Sequence, residues 1–191
     1  KEVLRNMPNS SIIADVKASQ NLFNEIEKYG GIPIMWKTGH SFIKSKMKEI
    51  SSPLAGEMSG HIFFADRYLG YDDGIYAALR VLELIRDRYT LDNFLGSLPK
   101  TFSTQEIKIE CSDDKKFNII NELASILDSE NIKVNKVDGL RVQKDDGWWL
   151  LRASNTQAVL VARVEAKSKS SLNNLQKELN SYLNKFNLSL S

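Results

Sequence analysis

The chain has 191 residues, enough for one large or two small domains with a sizeable core. Its 26 basic and 24 acidic residues leave a net charge of +2, which gives no electrostatic basis for binding nucleic acid or an anionic membrane. Hydrophobic residues make up 42%, an ordinary globular fraction, and no apolar run reaches membrane-spanning length.

Val3, Leu4 and Met7 give a helical fragment stopped by Pro8 and the turn-forming Asn9-Ser10. Because Lys1 already stands in this helix-like segment, the chain reads as part of something longer. Ser11 to Val16 reads as a buried strand. A helix follows from about Gln20 to Tyr29, with Leu22, Phe23 and Ile26 on one face and Gly30-Gly31 ending it. Ile32 to Trp36 is a second strand, and Thr38-Gly-His40-Ser41 leads into a helix carrying Phe42, Ile43 and Met47. This rhythm is that of a βαβ unit. The stretch Leu54-Ala-Gly-Glu57-Met-Ser59-Gly-His61 then places a carboxylate, a hydroxyl and an imidazole in one loop. After it come a strand, Ile62 to Ala65, and a helix from about Asp73 to Arg88. Ile75, Ala78, Leu79, Leu82 and Ile85 form that helix's apolar stripe, and Asp72 or Asp73 is its natural N-cap.

Periodicity lapses around Gly96 to Thr104, and Pro99 makes the segment a linker or hinge. Beyond it, Glu106 to Glu110 alternates as a strand and Phe117 to Leu127 is an amphipathic helix. Lys133 to Val137, Leu140 to Lys144 and Trp148 to Arg152 are strands at hairpin spacing, with turns at Asp138-Gly139 and Asp145-Asp-Gly147. Val159 to Glu165 and a helix from Leu172 to Phe186 close the chain. The expected fold class is therefore α/β: an open mixed αβ sheet domain over residues 1–98, then a smaller α+β domain over 99–191 with a mostly antiparallel sheet. The single cysteine, Cys111, excludes an internal disulfide and reads as a structural thiol. No signal peptide precedes the first strand, so the expected compartment is the cytoplasm.

Several residues could carry chemistry. The loop Arg152-Ala-Ser154-Asn155-Thr156 offers a guanidinium fork, two hydroxyls and an amide, a set suited to phosphate, although a plain polar hairpin turn uses the same residues. Lys17, His40 and Glu57 follow the ends of successive strands, where open α/β sheets place their ligand crevice. An imidazole changes charge near neutral pH, so His61 suits proton transfer or, equally, a structural hydrogen bond. The pairs Asp72/Asp73, Asp113/Asp114 and Asp145/Asp146 sit at helix starts and turns without the alternating spacing of a carboxylate metal loop, and no metal site is expected from them.

Five motifs in order, Asp15-Val-Lys17, Trp36-Lys-Thr-Gly-His40, Gly56-Glu-Met-Ser-Gly-His61, Asp72-Asp-Gly-Ile-Tyr76 and Arg152-Ala-Ser-Asn-Thr156, resemble the α-D-phosphohexomutase superfamily. The phosphomannomutase/phosphoglucomutase branch fits best. The resemblance covers the whole chain and implies its C-terminal half: a sugar-binding third domain, N-terminally truncated here, and a fourth, phosphate-binding domain with a TATA-binding-protein-like fold. It implies that Glu57 and Ser59 bind sugar hydroxyls and that Arg152, Ser154, Asn155 and Thr156 hold the phosphate not being transferred. Lys17 and His40 would lie near the reacting oxygen and the sugar, with His61 in proton transfer or positioning. The fourth domain would close by rotating about the linker. The implied reaction interconverts hexose 1- and 6-phosphates of mannose or glucose through a phosphoserine enzyme and a bisphosphorylated intermediate.

Mg²⁺ and a glucose 1,6-bisphosphate-type activator are implied for the parent enzyme, with the metal ligands outside this chain. The implied partners are hexose phosphates and the missing N-terminal domains of the same polypeptide, with neither nucleic acid nor membrane. The family's phosphoserine loop and Asp-rich Mg²⁺ loop do not occur in the sequence, so the fragment alone is expected to be inactive. Glutamine after the glutamate and Gly-Thr in place of Asn155-Thr156 would have favoured the phosphoglucosamine mutase branch. Ala158 departs from the proline usual near that position, which loosens the loop without removing a ligand. A stand-alone phosphosugar-binding protein is the alternative of a different class.

Overall fold

The computed structural model describes residues 1–86 and 91–190. They fall into two units, Lys1–Pro99 and Lys100–Ser191.

In the first unit a short helix α1 (Glu2–Asn6) precedes strand β1 (Ser11–Asp15), helix α2 (Gln20–Lys28), strand β2 (Ile32–Trp36), helix α3 (His40–Ile50), strands β3 (Leu54–Gly56) and β4 (Ile62–Phe64), and helices α4 (Gly74–Arg86) and α5 (Leu91–Ser97). Ser19 caps α2, its Oγ accepting from the Asn21 N–H at 3.2 Å. The sheet order is β2-β1-β3-β4, with β1, β2 and β3 parallel and β4 antiparallel to β3.

Alternation along β1 divides its side chains between two cores. Ile13 packs with Ile43 and Met47 of α3 on one face, while Ile12 joins Leu4 and Ile26 of α1 and α2 on the other. The connections from β1 to β2 and from β2 to β3 therefore run on opposite faces. This opens a crevice beyond the carboxyl ends of β1, β2 and β3, the general ligand position of open α/β sheets.

The second unit holds β5 (Phe102–Ser103), β6 (Ile107–Glu110), α6 (Asp113–Ser129), β7 (Val134–Asn135), β8 (Leu140–Lys144), β9 (Gly147–Ala153), β10 (Val159–Ala166) and α7 (Lys169–Asn184). Its sheet runs β5-β10-β9-β8-β7, with β6 pairing the start of β10, and every pairing is antiparallel. Leu123 and Leu127 of α6 and Leu175, Leu179 and Leu183 of α7 pack on Trp149, Leu151, Leu160, Ala162 and Val164. This is the α+β architecture with a mostly antiparallel sheet expected from the hairpin spacing. Cys111 is buried in this core, and burial, with the Asp114 charge adding to it, pushes its thiol above the ordinary value; it is a packing residue. Among the described residues no helix is long and apolar enough to cross a membrane.

Several local expectations need correction. Leu54–Gly56, read as loop, is β3, because its backbone completes the parallel ladder with β1. Leu22 and Phe42, each 45% exposed, lie off the buried faces of their helices. The larger change is α4, whose stripe of Ile75, Ala78, Leu79, Leu82 and Ile85 is exposed while Ala77 and Arg80 are buried. Arg80 forks onto Asp66 at 2.7 and 2.8 Å, reaches Glu2 at 2.6 Å and lies 4.4 Å above the Phe64 ring. A guanidinium so satisfied can face inward where periodicity alone assigns an apolar residue. The expected end of this helix at Arg88 lies outside the described residues. Helix α5 was not expected, β5 forms within the stretch read as linker, and α6 begins at Asp113, a turn earlier than its apolar pattern suggests.

Candidate functional site

The crevice of the first unit is built by three strand ends. Glu57 follows β3, and its side chain is 3% exposed. Its Oε1 accepts the backbone N–H of Gly39 at 2.7 Å. Gly39 has φ of +128°, a conformation that costs glycine little and orients this N–H while starting α3. His40, the first residue of α3, brings Nε2 to 3.6 Å from Glu57 Oε2 and 3.4 Å from Asp72 Oδ2.

The β3–β4 hairpin is closed by the Glu57 N–H bonding to His61 O at 2.9 Å, which puts His61 beside His40. Their rings meet edge to face with centroids 4.3 Å apart. His61 Nδ1 lies 2.8 Å from Asp72 Oδ2. Asp72 is held there by a backbone bridge to Phe63. Asp73 takes the capping role instead, its Oδ1 accepting the Tyr76 N–H at 2.9 Å. The imidazoles are about half exposed, 46% and 44%, so the cluster has a buried carboxylate floor and an open rim.

The structure thus brings together Glu57, His40 and His61 and adds Asp72, which the sequence suggested only as a cap. Lys17 lies at the end of the neighbouring β1, almost buried, with Nζ 3.8 Å from the fully buried Asp15. Ser59 is exposed at the hairpin tip. Chemically the cluster can accept hydrogen bonds from hydroxyls at Glu57 and exchange protons through either imidazole.

In the second unit, Arg152 ends β9 and is 7% exposed. Its Nε and Nη2 donate to the two carboxylate oxygens of Asp138 at 3.1 and 3.2 Å. This bidentate pairing fixes the guanidinium plane and leaves three of its five N–H donors. Asp138 is brought there by the Asp138-Gly139 turn, with Gly139 at φ +81°. A Cβ on Gly139 would lie 2.5 Å from Arg152 Cβ, so only glycine permits this approach.

Ser154 Oγ accepts the N–H groups of Thr156 and Gln157 at 3.3 and 3.1 Å, curling the loop, and Asn155 and Thr156 are exposed on it. Buried Lys116, from α6, anchors the far side by donating to Gln157 O at 2.9 Å. Neither Asp138 nor Lys116 was singled out from the sequence. The hairpin register that sets the Asp138-Gly139 turn beside Arg152 was the available signal for the first. Nothing in the pattern of α6 distinguished the second.

Comparison with known proteins assigns the family. Residues 1–102 match the family model described as phosphoglucomutase/phosphomannomutase, alpha/beta/alpha domain III, and residues 106–181 match the C-terminal domain of the same family. The chain belongs to the phosphoglucomutase/phosphomannomutase family. It is 46% identical over 177 residues to a phosphomannomutase/phosphoglucomutase of Pseudomonas putida, covering 92% of this chain and 38% of that protein. A phosphoglucomutase of Neisseria meningitidis is 42% identical over 180 residues, covering 93% and 39%. A crystal structure of a phosphoglucomutase/phosphomannomutase family protein from Burkholderia thailandensis superposes with a TM-score of 0.87 at 41% identity, covering 95% of this chain and 39% of that one. The chain therefore spans about two-fifths of the length of these relatives and corresponds to their C-terminal part.

Proposed function

We propose that this chain is the substrate-holding part of a phosphohexomutase that interconverts the 1- and 6-phosphates of mannose, glucose or both. The observation that carries the reading is Glu57: a carboxylate with its floor oxygen tied to the Gly39 N–H and its other oxygen beside His40. Such an anchored acceptor discriminates a polyhydroxylated ring by orientation, because a buried carboxylate left without donors is costly. In this reading Glu57 and Ser59 take sugar hydroxyls. His40 and Lys17 stand near the sugar and its reacting oxygen, and His61 positions a hydroxyl or moves its proton. Arg152, oriented by Asp138, holds the phosphate that stays in place, together with Ser154, Asn155 and Thr156.

Phosphoryl transfer through a phosphoserine and a bisphosphorylated intermediate belongs to the rest of the polypeptide in this proposal. Magnesium, when bound, stabilises charge on the transferring phosphoryl group. The residues present do not suit it. Among the described residues the group with ligand geometry is His40, His61 and Asp72, two imidazoles and one carboxylate, whereas magnesium takes oxygen donors. We accordingly place it, and any bisphosphate activator, outside this chain's own residues, and the chain alone turns over no hexose phosphate.

Calorimetry of mannose 1-phosphate binding to the chain, with EDTA present, tests the reading. Arg152→Ala is expected to weaken binding by at least about 1.5 kcal/mol, the scale of a hydrogen bond to a charged group, or about tenfold. Glu57→Ala is expected to weaken it comparably. Absence of millimolar binding by the wild-type chain refutes a working half-site. Binding that Arg152→Ala leaves unchanged refutes the phosphate assignment.

A further inference from the structure

The cluster at the rim of the first crevice has a property that sugar binding does not require. The ligand-capable atoms of His40, His61 and Asp72 all lie within 4.8 Å of one another. His61 Nδ1 is 2.8 Å from Asp72 Oδ2, and His40 Nε2 is 3.4 Å from the same oxygen and 3.6 Å from Glu57 Oε2. Bonds of about 2.0–2.1 Å in tetrahedral geometry put ligand atoms about 3.3 Å apart, and the observed separations bracket that value. The three side chains come from three places in the fold: the start of α3, the β3–β4 hairpin, and the segment bridged to β4. This is why no spacing among the aspartates signals the cluster in the sequence.

We propose that His40, His61 and Asp72 form a site for one divalent ion of the zinc class, with solvent in the fourth position. Two imidazole nitrogens with one carboxylate favour zinc, cobalt or copper over magnesium and calcium, whose preferred ligands are oxygen. Two features supply outer support of the kind that holds a metal ligand in place. The backbone bridge to Phe63 fixes Asp72, and the Glu57 N–H bond to His61 O at 2.9 Å fixes the hairpin that carries His61. The half-exposed imidazoles give the ion a path in. On binding, the imidazole nitrogens and carboxylate oxygens donate electron pairs to the ion, and any proton shared between His61 and Asp72 passes to solvent. Occupancy uses His40 and His61, so the ion and a hexose would exclude each other; that consequence, unlike the site itself, rests on the sugar reading above.

The test is titration of the whole chain with cobalt(II), followed by zinc. The expected result is one equivalent of cobalt giving the intense visible absorption of a four-coordinate ion, abolished by zinc. His61→Ala and Asp72→Ala are each expected to weaken zinc binding at least about 100-fold, the upper end of what losing a supporting group costs. Cys111→Ser should leave the spectrum unchanged. Long-range proton–nitrogen spectra of the unmutated chain give a reading free of folding effects, with zinc shifting His40 Nε2 and His61 Nδ1. Absent visible bands, bands lost in Cys111→Ser, or unshifted imidazole nitrogens would each overturn the proposal. No sugar is present in these measurements, so their outcome is independent of the sugar reading.

Discussion

Replacing Arg80 with alanine is expected to cost the first unit more stability than removing any of the apolar side chains on α4's exposed stripe. The guanidinium is 5% exposed and makes two bonds to Asp66, at 2.7 and 2.8 Å, and one to Glu2, at 2.6 Å. The Asp66 side chain is also only 5% exposed, so truncation strands a carboxylate away from water. Breaking one side of a buried pair costs about 3–5 kcal/mol, of which the unpaired charge is a large share. Amide exchange followed by mass spectrometry separates the two units within one sample. Peptides from β1 and β3 are expected to lose about two to three and a half orders of magnitude of protection, at 1.4 kcal/mol per tenfold. Peptides from β9 and β10 serve as the internal reference. Combining Arg80→Ala with Asp66→Ala should recover part of the loss, because the stranded charge is gone. Unchanged β1 protection in Arg80→Ala, or a double variant no more stable than the single, would refute the inference that this pair replaces an apolar contact.

The remaining expectations are narrower. Burial alone would raise the Asp66 carboxyl, but its bonds to Arg80 and the Arg80 charge outweigh it and hold the group below its ordinary 3.8. A carboxylate depressed in the folded state contributes stability above its unfolded value and loses it as pH falls through the folded one. The stability gap between the wild type and Asp66→Asn, read from urea unfolding, should therefore be full at neutral pH and close below about pH 4. Gly139→Ala places a Cβ 2.5 Å from Leu151 O and Arg152 Cβ at a positive φ, and should lower the second unit's stability by at least about 1–3 kcal/mol, visible in thermal unfolding. Lys116→Met removes the charged donor to Gln157 O and should cost about 1.5–3 kcal/mol, with faster amide exchange across residues 154–158 while α6 stays protected.

Most of the architecture was legible because periodicity and turn chemistry acted together. The βαβ rhythm of Ser11 to Ile50 and the hairpin signals at Asp138-Gly139 and Asp145-Asp-Gly147 each followed from local preference. Where the reading failed, an alternative partner decided the matter. Helix α4 obeys a 3.6-residue period, but its buried face is set by Arg80 finding Asp66 and Glu2, 14 and 78 positions away in sequence. The three residues of β3 are too short to signal a strand and become one only by pairing with β1.

The sequence by itself determined the two kinds of sheet, the family and the loops proposed to carry the chemistry, because strand alternation, helix period, glycine turns and motif order are all properties of short segments. The tertiary structure alone decided which groups meet. Asp72 is a cap candidate by position, yet its bridge to β4 turns it toward His40 and His61, leaving the cap to Asp73. Asp138 is a turn residue by composition, yet its carboxylate takes the Arg152 fork just beyond the Leu140–Leu151 pair that starts the β8–β9 ladder. In both cases backbone pairing at or beside the residue places a short carboxylate side chain, and no local pattern encodes what it then faces.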